Sequence, residues 1–491
     1  MDLQFRERAL TCLRQSAADT KRTEEVLELR LPENMPPIGR VLGAWGQCLV
    51  RGKEWQSDKV SVSGGVLARV LYESEDGLQL RCVEGWLPFQ LKWELKDSQR
   101  DGTVVVSCAV PDVDARQVGA ERLMLRATVV AMAQALEEES YALWEPEAVE
   151  GLELLQQTHT LCLATEAGEK QMSLQEEVML PPGQMDVAEL MFYELTPRVR
   201  EAKVAEDKLV LRLSAMLHAV YLGPDGMLHA YNTELPFSQF AQLGRIYGQE
   251  AEVWAEPAVT DLELESLGDG RLRVKAGLLG QYVVYDRCTV TVTADAYAPG
   301  KQVQLQMEQL HLPAIRARSS RCFSLSHSFP QGATEVVCAA LKAPQARQLD
   351  GKAELQAVMG VLYYDSENRP QHMSAAVSRQ WELPEGFEAA GLWFGQQPGV
   401  QAEAAAEGLQ LQYGPEMLLV LPQNEGLDLV KGVTVADAEP QERPSLILRR
   451  PGGLDLWELA KHCGSTRGAI MEANGLEGEP EEGQMLLIPV K

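Results

Sequence analysis

Apolar side chains recur at alternate positions over long stretches of this chain. "SDKVSVSGGVLARVLYESEDG", from Ser57, and "EDKLVLRLSAMLHAVYLGPDG", from Glu206, both show the two-residue period of a half-buried strand. Asp76-Gly77 and Asp225-Gly226 sit at the ends of these runs, where Asp-Gly favours a tight hairpin turn. One segment competes with this reading. "LMLRATVVAMAQALEEE", from Leu123, is rich in Ala, Met, Leu and Glu and by propensity would pass for an amphipathic helix. Its counterpart further on, "LRVKAGLLGQYVVYDRCTVTV" from Leu272, is poor helix material, so both segments are predicted to be strands.

These counterparts belong to an internal repeat. Leu31 and Leu180, Asp58 and Asp207, Tyr72 and Tyr221, Gly77 and Gly226, and Leu123 and Leu272 are each 149 residues apart (for example 180 − 31). "GWLPF", Gly85 to Phe89, is answered by "TELPF", Thr233 to Phe237. A third, divergent copy follows, with "HSFPQGATEVV" from His327, "GKAELQAVMGVLYYDSEN" from Gly351 and "QWELPEGF" from Gln380; Tyr363 lies 142 residues after Tyr221 (363 − 221). The expected organisation is a short N-terminal segment (1–20), three tandem β-rich, sandwich-like repeats (21–145, 160–300 and 310–434), a Pro- and charge-rich linker (435–444) and a C-terminal module (445–491).

The module changes texture. "SLILRR" is strand-like, and "PGGL" turns the chain. Asp455 is placed to cap a helix over Leu456–His462, with Glu458 three residues on. Ser465 or Thr466 can cap a second helix that Asn474-Gly475 closes, and "GQMLLIPV" supplies a last strand. The prediction is a small α+β unit ordered strand, helix, helix, strand.

That order, with "LWELAK", "IMEANGL" and "GQMLLIP", resembles the LysM domain. In that family two loops form a shallow groove for N-acetylglucosamine glycans. Carried over, the groove would draw on Gly452, Gly453, Leu454 and Asp455, and on Asn474, Gly475, Leu476 and Glu477. The family's Gly-Asp-Thr-Leu is here Gly-Gly-Leu-Asp-Leu, and the second loop is acidic, "EGEPEEG". The docking surface expected from this resemblance comprises Leu456, Trp457, Lys461, Asn474 and Leu476, since exposed aromatic and aliphatic anchors carry most binding energy.

The repeats, with their "LPF" elements (Leu87 to Phe89; Leu235 to Phe237, continuing "SQF") and following hairpins, resemble SPOCS domains, β-rich modules of bacterial spore-coat-associated proteins. Such an array followed by one LysM domain resembles the clostridial family of coat morphogenetic proteins that interact with stage IV sporulation protein A. The resemblance implies a non-enzymatic scaffold in spore coat and cortex assembly. It would reside in the mother-cell cytoplasm on the outer forespore surface and dock through its LysM domain to the coat's basement-layer ATPase and to other coat proteins. The alternative is a peptidoglycan-binding protein using the same module.

Composition narrows the remaining classes. The length of 491 residues calls for roughly three to four folding units. A formal net charge of −26 disfavours nucleic acid and anionic membranes as partners. Nine scattered cysteines without C-x-x-C spacing fit free thiols in a reducing compartment. The first residues lack an apolar h-region, and no stretch is long enough for a transmembrane helix. No P-loop, H-E-x-x-H or G-x-S-x-G motif is present, so no catalytic residue, metal ligand or cofactor is assigned. His218 with His229 could hold a metal and His462 with Cys463 could form a reactive pair, but each reads first as an ordinary structural group. An enzyme with a carboxylate pair in a deep pocket ranks third.

Overall fold

In the computed structural model the chain is mainly β, with several separate sheets and two short helices among the described residues. The structure describes residues 2–95, 102–146, 151–349, 351–393, 400–405, 408–414, 416–422, 426–437, 444–481 and 483–490.

The first unit contains β1 (Asp2–Gln4), β2 (Arg6–Arg30), β3 (Ile38–Gln56), β4 (Lys59–Ser74), β5 (Leu80–Glu94), β6 (Thr103–Gly119) and β7 (Arg122–Glu145). The meander β3-β4-β5 faces a second sheet of order β2-β7-β6 across one core, in which Val62, Val66, Leu123 and Leu125 are fully buried. The segment from Leu123 is indeed a strand, β7, as its counterpart required. Residues 6–20 are not a separate N-terminal segment, because β2 pairs with β7 from Arg6 to Arg30.

The second unit repeats the plan with β8 (Glu153–Met179), β9 (Glu189–Ala205), β10 (Lys208–Leu222), β11 (Leu228–Gln242), β12 (Glu252–Gly268) and β13 (Arg271–Tyr297). Its sheets have the orders β11-β10-β9 and β12-β13-β8. Local devices recur with the strands. Gly77 and Gly226 take positive φ of 70° and 77° at the hairpin tips, where Asp76 and Asp225 accept the backbone N–H two residues on. The Tyr72 hydroxyl donates to the Pro36 carbonyl at 3.0 Å, and Tyr221 does the same to Met185 at 3.0 Å.

The third unit begins earlier than expected, at Lys301, and its long strands are broken: β14 (Lys301–Leu310), β15 (Ala314–Cys322), β16 (Leu325–Phe329), β17 (Glu335–Leu349), β18 (Lys352–Tyr364), β19 (Pro370–Glu382), β20 (Glu388–Trp393), β21 (Gln401–Ala405), β22 (Gly408–Tyr413), β23 (Glu416–Pro422) and β24 (Leu427–Asp437). Its meander β17-β18-β19 is intact. The other sheet is divided into β16-β22-β21, a β15-β23-β20 portion and β14 on β24. Pro313 separates β14 from β15, because proline gives a ladder no donor. Val435 to Asp437, expected in the linker, extend β24; residues 438–443 lie outside the described ones.

The three units meet around a common centre. Cys12, Leu161 and Leu310 stand 149 residues apart (161 − 12 and 310 − 161) and share one buried cluster. Equivalent meander residues Leu71, Val220 and Leu362 share a second, where Trp45 stacks on Phe192 at 4.1 Å and meets His372 edge-on at 5.0 Å. Each unit thus contributes one ring. Backbone pairing of β1 with β24 ties the first unit to the third.

The C-terminal module has the expected order: β25 (Leu446–Arg449), α1 (Leu456–Cys463), α2 (Arg467–Asn474) and β26 (Leu486–Pro489), with β25 and β26 antiparallel. It rests on the second unit.

Candidate docking site

Both helices of the module are eight residues long, too short to persist without caps and packing. Asp455 accepts from the Glu458 N–H at 2.8 Å, and Thr466 from Ala469 at 3.1 Å. Gly464 and Gly475 end the helices at φ of 68° and 62°, left-handed values that suit glycine. Leu456, Leu459, Ala460, Ile470, Leu486 and Ile488 form the core beneath.

The residues expected to form a docking surface are mostly spoken for. Leu456 is fully buried in that core, a correction to its placement at the surface; its position directly after the cap turns it inward. Trp457 is also buried, against the second unit. Its indole N–H donates to Asp295 Oδ2 at 2.8 Å, and its ring meets Tyr297 edge-on at 4.8 Å. Lys461 reaches the same carboxylate, 2.8 Å from Oδ1 and 2.6 Å from Oδ2. Asn474 is a brace: its amide donates to the Ile470 and Leu487 carbonyls and accepts from the Leu487 N–H, all at 2.7–2.8 Å. Leu476 packs half-buried on the module core.

The residues of the two loops expected to flank a groove lie mostly at the surface. Gly452 and Gly453, at φ of 65° and 91°, are exposed, as are Asp455, Gly475 and Glu477, while Leu454 is half-buried. A carboxylate from the acidic loop spans them. Glu479 Oε2 accepts the Leu456 N–H at 2.9 Å, at the positive end of α1, and Oε1 faces Arg467 at 3.5 Å.

Three residues important here escaped the sequence reading. Glu479 was one acid in an acidic run. Asp295 and Tyr297 lie in the last turn of a long strand, where a β-bulge between Thr293 and Asp295 re-aims the chain. The only hint was an aspartate interrupting "TVTADAY".

The two histidines flanking the second Asp-Gly hairpin each have a partner. His218 Nδ1 bonds to Asn232, and His229 Nε2 lies 3.0 Å from Asp225 Oδ2. Cys463 is buried in the module core while His462 is exposed. Among the described residues no group of three or more His, Cys, Asp or Glu side chains is placed to hold a metal, and no helix is long and apolar enough to cross a membrane. A cleft lined by Trp45, Arg69, Phe192, Tyr193 and Glu194 has room for about one water molecule.

Compared with protein-family models, curated proteins and solved structures, the chain matches none of them.

Proposed function

We infer that this chain is a non-enzymatic scaffold of spore coat and cortex assembly, in which three SPOCS-like β units carry a LysM-like module that docks a protein rather than a glycan. Its partner in this reading is an ATPase of the stage IV sporulation protein A type, on the forespore surface facing the mother-cell cytoplasm. Support for a scaffold comes from the three units joined through shared cores, with one small module packed against the second of them. Support for protein over sugar comes from one observation above all: Glu479 bridges the two loops that would have to open onto a glycan. Its carboxylate takes the helix-end N–H that a sugar hydroxyl would otherwise find.

Co-sedimentation of the purified full chain with the assembled coat ATPase and, separately, with insoluble peptidoglycan tests this. Saturable binding to the ATPase, lost when the chain is ended before residue 445, is expected, with no binding to peptidoglycan. Binding to peptidoglycan alone would overturn the reading and restore a sugar site.

A further inference from the structure

The module's sheet has two outer edges, and they are unlike. The Val490 N–H donates to the Ser445 carbonyl at 3.0 Å, which fixes the alternation of the antiparallel ladder. Ile447 pairs by hydrogen bonds with Ile488 and Arg449 with Leu486, while the N–H and C=O of Leu446, Leu448 and Leu487 point away from the partner strand. On the β26 side these outward groups are closed off. Asn474 satisfies both the N–H and the C=O of Leu487, and Pro489 has no N–H. On the β25 side no described strand pairs with the outward groups of Leu446 and Leu448.

The side chains above that open edge are apolar. Leu446 is 50% exposed, Leu448 65% and Met485 48%, on the face opposite the module core. Leu446 lies opposite Pro489 and Leu448 opposite Leu487, so the four share this face. Natural edge strands are blunted by shortness, charge, proline or a bulge. β25 is short and ends in a charge, but its outward-facing stretch from Leu446 to Leu448 carries no charge, proline or bulge. At its end stand Arg449 and Arg450, both exposed and without an ion-pair partner among the described residues. Two cations without an ion-pair partner among the described residues, on a chain of net charge −26, mark the end of the edge where an acidic group would be accepted.

We propose that β25 is a strand-addition site, whose occupant is an extended segment of a partner protein with alternating apolar residues and acidic residues at the end that reaches Arg449 and Arg450. Backbone bonds to Leu446 and Leu448 supply affinity, the Leu446–Leu448–Met485 strip selects apolar side chains, and the arginines set direction. The proposal rests on the docking role inferred above and names the surface and the kind of segment it takes.

The test uses the full chain and a fluorescent, acetylated peptide, Glu-Glu-Val-Thr-Val-Thr-Val-Ser, with a control in which two lysines replace the glutamates. Saturable binding of the acidic peptide is expected, at least about tenfold weaker for the lysine peptide. Leu448→Pro removes an N–H that points outward and is not used in the β25–β26 ladder, so it should weaken binding by at least about tenfold while the thermal transition stays in place. If that variant unfolds, Arg449→Glu combined with Arg450→Glu, both at exposed positions, should reverse the preference between the two peptides. No saturable binding, equal binding of both peptides, or a preference unchanged by the arginine variants would overturn the proposal. Neither the ATPase nor a glycan is in this assay, so its failure leaves the docking role to the co-sedimentation test.

Discussion

Gln281 shows how single residues join one unit to the next. Its side-chain amide accepts from the Val106 N–H at 2.8 Å and donates to the Val106 carbonyl at 2.8 Å, so a side chain from β13 stands in for a strand along β6. Lys53 donates to the Gln281 Oε1 at 2.7 Å and pairs with Glu169 at 2.8 Å, and burial pushes the lysine's pKa down against that pairing. Replacing Gln281 by Leu leaves both Val106 groups buried without partners, so a loss of about 2–4 kcal/mol is expected in urea unfolding. Glu256, beside Ser107 on the same seam, has its pKa pushed by burial from 4.5 up to about 7. Below pH 4.5 the carboxyl is protonated whether the chain is folded or not. Between 4.5 and 7 the unfolded chain ionises while the folded one resists, so stability falls as pH rises, and above 7 the penalty is complete. The Glu256→Gln variant should therefore gain on the wild type across that window, by on the order of 3 kcal/mol at its upper end. A difference that stays flat from pH 4.5 to 7 would rule this out. The caps at Asp455, Thr466 and Gly475 were legible in the sequence because capping is local. Gln281 and Glu256 were not, because their meaning depends on which distant strand lies opposite.

Among the elements, the strand reading of β7 was recoverable only by comparison with β13, since its own composition favours a helix. What the repeat could not reveal was the β-bulge that ends β13 and turns Asp295 toward the module. Asp295 holds both Trp457 and Lys461, so Asp295→Ala should loosen the module from the second unit without unfolding either. Faster amide exchange in α1 and quicker proteolysis near residues 438–444 would report this; unchanged exchange would show that Tyr297 and Leu155 suffice to hold it. Asn474→Ala has a different expected effect. It frees the Leu487 backbone groups and should cost the module about 1–3 kcal/mol, read as lost protection in β26. In the sequence Asn474 stood at the helix end and in the expected docking surface, whereas its brace runs to β26, thirteen residues further on.

For the whole molecule, the 149-residue spacing fixes more than three similar units. It places Cys12, Leu161 and Leu310 in one cluster, so the second and third copies are needed to complete a core that no copy builds alone. Leu161→Ala should accordingly lower the stability of the assembly as one body, by about 2–5 kcal/mol in a single shared transition. Three separable transitions, with only the second shifted, would contradict a shared centre. The drift of the third copy was visible as a change of spacing, whereas the division of its outer sheet, with β14 and β15 separated at Pro313, needs the strand pairing to be seen. The acidic charge, the shared cores and the packing of the module on the second unit are the features on which the proposed docking role rests. Hydrogen exchange on the full chain, alone, with the coat ATPase and with an N-acetylglucosamine oligomer, tests that role most directly. The account predicts that the ATPase slows exchange at 445–450 and that the sugar leaves 452–455 and 475–479 unchanged. Protection of those two loops by the sugar, with no effect of the ATPase anywhere in the module, would contradict it.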